Sequence, residues 1–133
     1  MPEKRTIDRA KKAKREGKSP STQAGEFVRE EIEHIREGNH GARSPEQAIA
    51  IGLSKARRAG VDLPAPKKGK TSEATRKRAK KDLEKGRTSS TSKPSAKRSK
   101  ASLGKLKREG RSAASHQALS RHAKKAAYKR KAV

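Results

Sequence analysis

Four histidines, His34, His40, His116 and His122, are the only imidazoles in the chain, and there is no cysteine. Disulfides and thiolate metal centres are thereby excluded. The histidines form two pairs, each six residues apart, whereas two ligands on one helix face need a spacing of three or four. The spacing therefore predicts no zinc site, and nothing else in the chain calls for a cofactor. Glu26, Glu30, Glu33 and Glu37 form a line at i, i+4, i+7 and i+11. Such a line suits an acid/base or metal cluster, but Arg29 and Arg36 beside it make it a charge-balanced solvent face. No nucleophile elbow, Walker lysine loop or Gly-x-Gly-x-x-Gly occurs. The expectation is a protein without enzymatic activity.

The chemistry in surplus is cationic. Against 14 Asp and Glu stand 38 Lys and Arg, a formal charge of +24. Its division is informative: 1–20 carries +5, 21–63 carries −1 and 64–133 carries +20. Lys and Arg release counterions from phosphates and so supply affinity for nucleic acid that is independent of sequence. The expected phosphate contacts are Lys11, Lys12, Lys14 and Arg15 in the first arm and Arg57 and Arg58 in the middle. In the tail they are Lys67, Lys68, Arg76, Lys77, Arg78, Lys80, Lys81, Lys124, Lys125, Lys129 and Arg130. Phe27 and Tyr128 are the only aromatics, and Phe27 belongs to an apolar stripe. Few bases can be stacked, which ranks duplex DNA ahead of RNA.

These cations must be positioned by something, and 21–63 holds nine of the fifteen Leu, Ile, Val and Phe residues. Ala24, Phe27, Val28, Ile32 and Ile35 lie at offsets of three and four, the period of a helix with one apolar face. Ile49, Leu53 and Ala56, with Ala48 and Ile51 beside them, repeat the plan. Ser44-Pro45-Glu46-Gln47 supplies an N-cap hydroxyl, a proline where no amide is lost and a Gln to close a capping box. The first helix starts at Ser19 or Ser21. Gly38 and Gly60 each follow a basic helix end, where glycine can turn left-handed and terminate the helix. The fold expected is all-α: a small helical hairpin, about 21–37 and 45–59, with basic arms that are largely disordered or conditionally helical. The domains expected are an arm at 1–20, the hairpin core at 21–63 and a Lys/Arg/Ser/Ala-rich tail at 64–133.

In the first arm, Ile7, Ala10 and Ala13 make too thin a stripe to bury much. Repulsion among its lysines predicts a segment that frays alone and becomes helical on a polyanion. Pro64 and Pro66 mark the end of the core. Beyond them lie candidate helices from Ser72 to Gly86, Ser102 to Gly110 and Ser115 to Lys131. The stretch 88–100 is low in complexity and resembles linker-histone tails in composition. Glycines after basic residues recur at Gly17, Gly38, Gly60, Gly86 and Gly110, three of them as Arg-Glu-Gly. Either a helical array or recurrent capping in a basic chain accounts for them.

The run Ser21-Thr22-Gln23-Ala24-Gly25-Glu26-Phe27-Val28-Arg29-Glu30-Glu31-Ile32, followed by Gln47-Ala48-Ile49-Ala50-Ile51-Gly52-Leu53-Ser54-Lys55-Ala56-Arg57-Arg58-Ala59-Gly60-Val61, resembles a family of small basic bacterial proteins. That family is labelled a domain of unknown function, or loosely a DNA-binding or plasmid-stabilisation protein. The resemblance covers the N-terminal half, implies a bacterial, cytoplasmic, non-enzymatic protein, and carries over no site residue. No apolar run reaches membrane-spanning length and 1–18 has no apolar leader, so a cytoplasmic, nucleoid location is expected. The function expected is non-specific duplex DNA binding and compaction. Alternatives are a ribosome- or RNA-associated factor, and a module that binds a protein partner or a second copy through the hairpin, with its charge used for localisation.

Overall fold

The computed structural model describes residues 3–88 and 96–131, and all its regular elements are helical. They are α1 (Lys4–Arg15), α2 (Pro20–Arg36), α3 (Pro45–Arg58), α4 (Glu73–Thr88), α5 (Ala96–Arg108) and α6 (His116–Lys131), with a 3-10 turn at Ser112–Ala114 before α6. Residues 89–95 of the low-complexity stretch lie outside the described residues, and 96–100 open α5. Among the described residues no helix is long and apolar enough to cross a membrane.

Local chemistry explains where the helices begin and end. Ser19, Ser44, Ser72 and Ser115 each accept a backbone N–H three residues on, at 3.1–3.3 Å, and so satisfy one orphan donor at the start of α2, α3, α4 and α6. The Gln47 side chain accepts from the amide of Arg43, one residue ahead of the cap, at 2.6 Å. At the other ends, Gly17, Gly38 and Gly60 take φ of 77°, 84° and 101°. The amide after each glycine bonds back to the carbonyl of Ala13, His34 or Ala56, and the glycine amide to that of Lys14, Ile35 or Arg57, at 3.0–3.1 Å. This paired pattern is the Schellman termination. Gly86 and Gly110 do not share it: Gly86 lies inside α4, and Gly110 is not among the glycines with positive φ.

Contacts divide the chain into two units, Met1–Glu30 with Ile51–Ser92, and Glu31–Ala50 with Lys93–Val133. Both α2 and α3 thus contribute to each. In the first unit, Phe27 is buried with Ala10, Ala24, Ala56 and Val61, and Ile7, Leu53 and Leu63 pack against them. Here α2 and α3 approach so closely that a Cβ at Gly52 would lie 2.6 Å from Val28 Cα. Asp82 of α4 is buried and accepts from Ser54 Oγ at 2.7 Å and Arg58 Nε at 2.8 Å. In the second unit, Ile35 is buried with Ala42, Ala48, Ala113 and Ala114, with Ile32 against them. The loop after α2 is pinned by backbone bonds, Gly41 N–H to Leu106 carbonyl at 2.8 Å and Ala42 N–H to Gly110 carbonyl at 3.0 Å. A Cβ at Gly41 would collide with the Glu109 carbonyl.

The structure departs here from the expected hairpin with largely disordered arms. Both stripes form helices, but each splits between two cores, and both arms supply core residues: Ala10 and Ala13 from α1, Ala79 from α4, Ala113 and Ala114 from the 3-10 turn. The reason is physical. Counting Leu, Ile, Val and Phe overlooks alanine, whose single methyl group lets helix backbones approach closely while still excluding water.

Candidate nucleic-acid interface

On α1 the buried side chains are Thr6, Ala10 and Ala13, which leaves Lys11, Lys12, Lys14 and Arg15 exposed. The arm expected to fray alone is thus a helix seated on a core through Ala10 and half-buried Ile7. Of the tail cations, Lys67, Lys68, Lys77, Arg78, Lys80, Lys81, Lys124, Lys125, Lys129 and Arg130 are also exposed. On α4, Ala79 and Asp82 face inward while Lys77, Lys81 and Lys85 are exposed at successive i, i+4 positions. The three lie along one side of the helix at intervals of about 6 Å, four residues at 1.5 Å rise each. Among the described residues none of the three has a carboxylate within ion-pair distance.

Three expected contacts have other work. Arg57 is only 7% exposed, and its guanidinium donates from Nε to the Leu63 carbonyl at 3.1 Å and from the terminal nitrogen to the Pro64 carbonyl at 3.0 Å. Burial lowers its pKa below the usual value, with the Asp82 charge acting in the opposite direction. It is a brace holding the segment after α3. Arg58 pairs with Asp82 but remains half open to solvent. Half-buried Arg76 donates to the Pro66 carbonyl at 3.0 Å and to Glu73 at 3.2 Å. No local signal separates Arg57 from its neighbour Arg58: the burial of Arg57 is set by the return of Leu63 and Pro64.

Of the carboxylate line expected on a solvent face, Glu37 is exposed and Glu26 and Glu33 are half-buried, but Glu30 is not part of such a face. Glu30 is 3% exposed and accepts from the Glu3 amide at 2.6 Å, and neighbouring Glu31, off the line, is fully buried. On α6, Tyr128 is 75% exposed beside Lys124, Lys125 and Lys129. At the start of α3, Glu46 lies 3.1 Å from His122 Nδ1. Its own helix-terminal amide, followed by His122, holds its carboxyl pKa below the ordinary 4.5.

Comparison of the chain with protein-family models, with curated proteins and with solved structures finds no match.

Proposed function

We propose that this protein binds nucleic acid through the phosphate backbone, with duplex DNA the main polymer, in a nucleoid-associated or compacting role within the cytoplasm. The observation that carries the reading is the row Lys77, Lys81 and Lys85, exposed on α4 with no carboxylate partner among the described residues. Like charges at i, i+4 weaken a helix in free solution, and phosphates lining the row relieve the repulsion. The basic helices are conditional in this sense: their helicity rises on the polyanion. Binding of this kind is driven by counterion release and is indifferent to base sequence.

Fluorescence anisotropy over a salt series tests it. Six to ten phosphate contacts give a slope of log K against log salt of about −5 to −9. Replacing Lys77, Lys81 and Lys85 together by Gln should flatten that slope by about 2–3, at 0.9 per duplex phosphate. Neutralisation is preferable to deleting the tail, because Ala79 and Asp82 on the same helix are buried. An unchanged slope, or strong preference for one duplex sequence, refutes the reading. Exposed Tyr128 among cations favours a second reading, an RNA or single-strand partner on which it stacks. It is the only tyrosine and there is no tryptophan, so quenching of its emission by single-stranded RNA but not by duplex DNA would select that alternative.

A further inference from the structure

We propose that Glu31, His34 and His40 form a binding site for a divalent transition-metal ion of the zinc class. All three belong to the second unit. One ligand atom from each can be chosen so that the three lie within 4.8 Å of one another. Glu31 and His34 are one turn apart on α2, at the i, i+3 spacing that sets a carboxylate and an imidazole on one helix face. His40 returns from the loop that follows, and that loop is held in place by the Gly41 and Ala42 backbone bonds.

The hydrogen bonds around His40 orient one of its nitrogens toward Glu31. Its Nδ1 lies 3.0 Å from the Gly41 carbonyl, which can only accept, so Nδ1 carries the proton. In the neutral ring Nε2 then has a bare lone pair, and it faces Glu31 Oε2 at 3.1 Å. Two acceptors at that distance, one on a carboxylate with no exposed surface, are bridged either by a hydrogen or by a metal ion. A hydrogen bridges two atoms, whereas a metal ion can take the third ligand atom, from His34, that lies within the same 4.8 Å. The His34 ring stands nearly perpendicular to that of His40, with centroids 6.3 Å apart and planes at 82°, so the two rings can direct nitrogens at a common point without stacking. A tetrahedral zinc site with bonds of about 2.0–2.1 Å separates its ligand atoms by about 3.4 Å, within reach of side-chain adjustment. An imidazole whose other nitrogen donates to a backbone carbonyl is the usual orientation of a metal-bound histidine. Two imidazoles and a carboxylate make a three-ligand set that leaves a fourth position for water. The histidine spacing of six conceals this site because the ligand one turn from His34 is a glutamate.

The test uses the full chain stripped with chelator and then titrated with Zn²⁺ by calorimetry. Co²⁺ serves as a spectroscopic probe, because four-coordinate cobalt gives strong visible absorption. One equivalent of either metal should bind, and zinc should raise the melting temperature. His34→Gln and His40→Gln should each weaken binding by more than about a hundredfold, beyond what losing an orienting partner costs. His116→Gln/His122→Gln should bind as the parent does. If His40→Gln fails to fold, the half-buried His34→Gln decides alone. No saturable uptake at micromolar zinc overturns the proposal, and Glu31 and His40 then share only a proton. Full uptake by His34→Gln, or loss of uptake in His116→Gln/His122→Gln, overturns it equally. Because none of these residues is assigned to phosphate, the salt slope on DNA should be the same with and without zinc.

Discussion

Alanine at Gly25 and at Gly52 is one substitution in two helix interiors, and the structure gives it opposite signs. Gly25 lies in α2, exposed, and a Cβ there would meet nothing within 4 Å. Removing the backbone freedom of glycine should stabilise by about 0.5–1 kcal/mol. Gly52 in α3 offers the same intrinsic gain, but its Cβ would lie 2.6 Å from Val28 Cα, and 2.9 Å from Val28 N and Cγ2. The methyl of Val28 can rotate away, but the backbone of α2 cannot. Ordinary carbon contacts sit at about 3.5–4.0 Å, so the helices must part by about 1 Å. That separation loosens the packing of Phe27, Leu53 and Ala56 around it. Overpacking of this kind costs about 1–3 kcal/mol, and contact with rigid backbone belongs at the upper end. After the helix gain is subtracted, Gly52→Ala should lose up to about 2 kcal/mol, which places the two variants roughly 2–3 kcal/mol apart. At about 3–4 °C per kcal/mol for a domain of this size, their melting points should differ by roughly 6–12 °C, Gly25→Ala above the parent and Gly52→Ala below it. Circular dichroism melts at 222 nm read this directly. A Gly52→Ala protein that melts at or above the parent refutes the close approach of α2 and α3 at Val28.

Asp82→Asn should lower the urea midpoint, with a loss of about 1–3 kcal/mol, because the amide cannot accept from both Ser54 and Arg58. Arg57→Met should destabilise the chain by freeing the Leu63 and Pro64 carbonyls, yet leave the salt slope on DNA unchanged, since this guanidinium is spent internally; anisotropy and urea titration on the same sample separate the two effects. Glu46 should titrate below 4.5 by NMR, and His122→Gln should move its midpoint upward. A carboxyl with a lowered folded-state pKa contributes stability above its ordinary pKa and loses it as pH falls through the lowered value. Glu46→Gln should therefore lose less stability than the parent on acidification below pH 4.5.

Helix ends were legible in the sequence because each rests on chemistry within a few residues. Ser44 and Pro45 mark a start, and Gly38 and Gly60 mark left-handed stops, and the structure has all of them. The same rule applied to Gly86 placed a stop where the helix continues, because that glycine answers to a distant constraint: a Cβ there would collide with the Arg57 carbonyl. The two-core arrangement was not legible for a related reason. Phe27 and Ile35 share one stripe yet are buried in different clusters, and their partners Val61, Ala113 and Ala114 come from segments without helical periodicity. The cations of α1 and α4 could be read from composition, but the burial of Arg57 depends on where Leu63 and Pro64 return. Glu31 does not stand out in the sequence, because its neighbours Glu26, Glu30 and Glu33 make the more regular pattern.

The alanine-built interior has a thermal consequence. Nine of the twelve buried apolar residues among those described are alanine, so unfolding uncovers little hydrocarbon for each residue released. Newly wetted apolar surface is what raises the heat capacity of the unfolded chain, typically by about 12–15 cal/mol/K per residue. This chain should fall below that range, and scanning calorimetry measures the quantity. With a small heat-capacity change, the enthalpy of unfolding varies slowly with temperature and the stability curve is broad and shallow. Cooling then removes little of the driving force for folding.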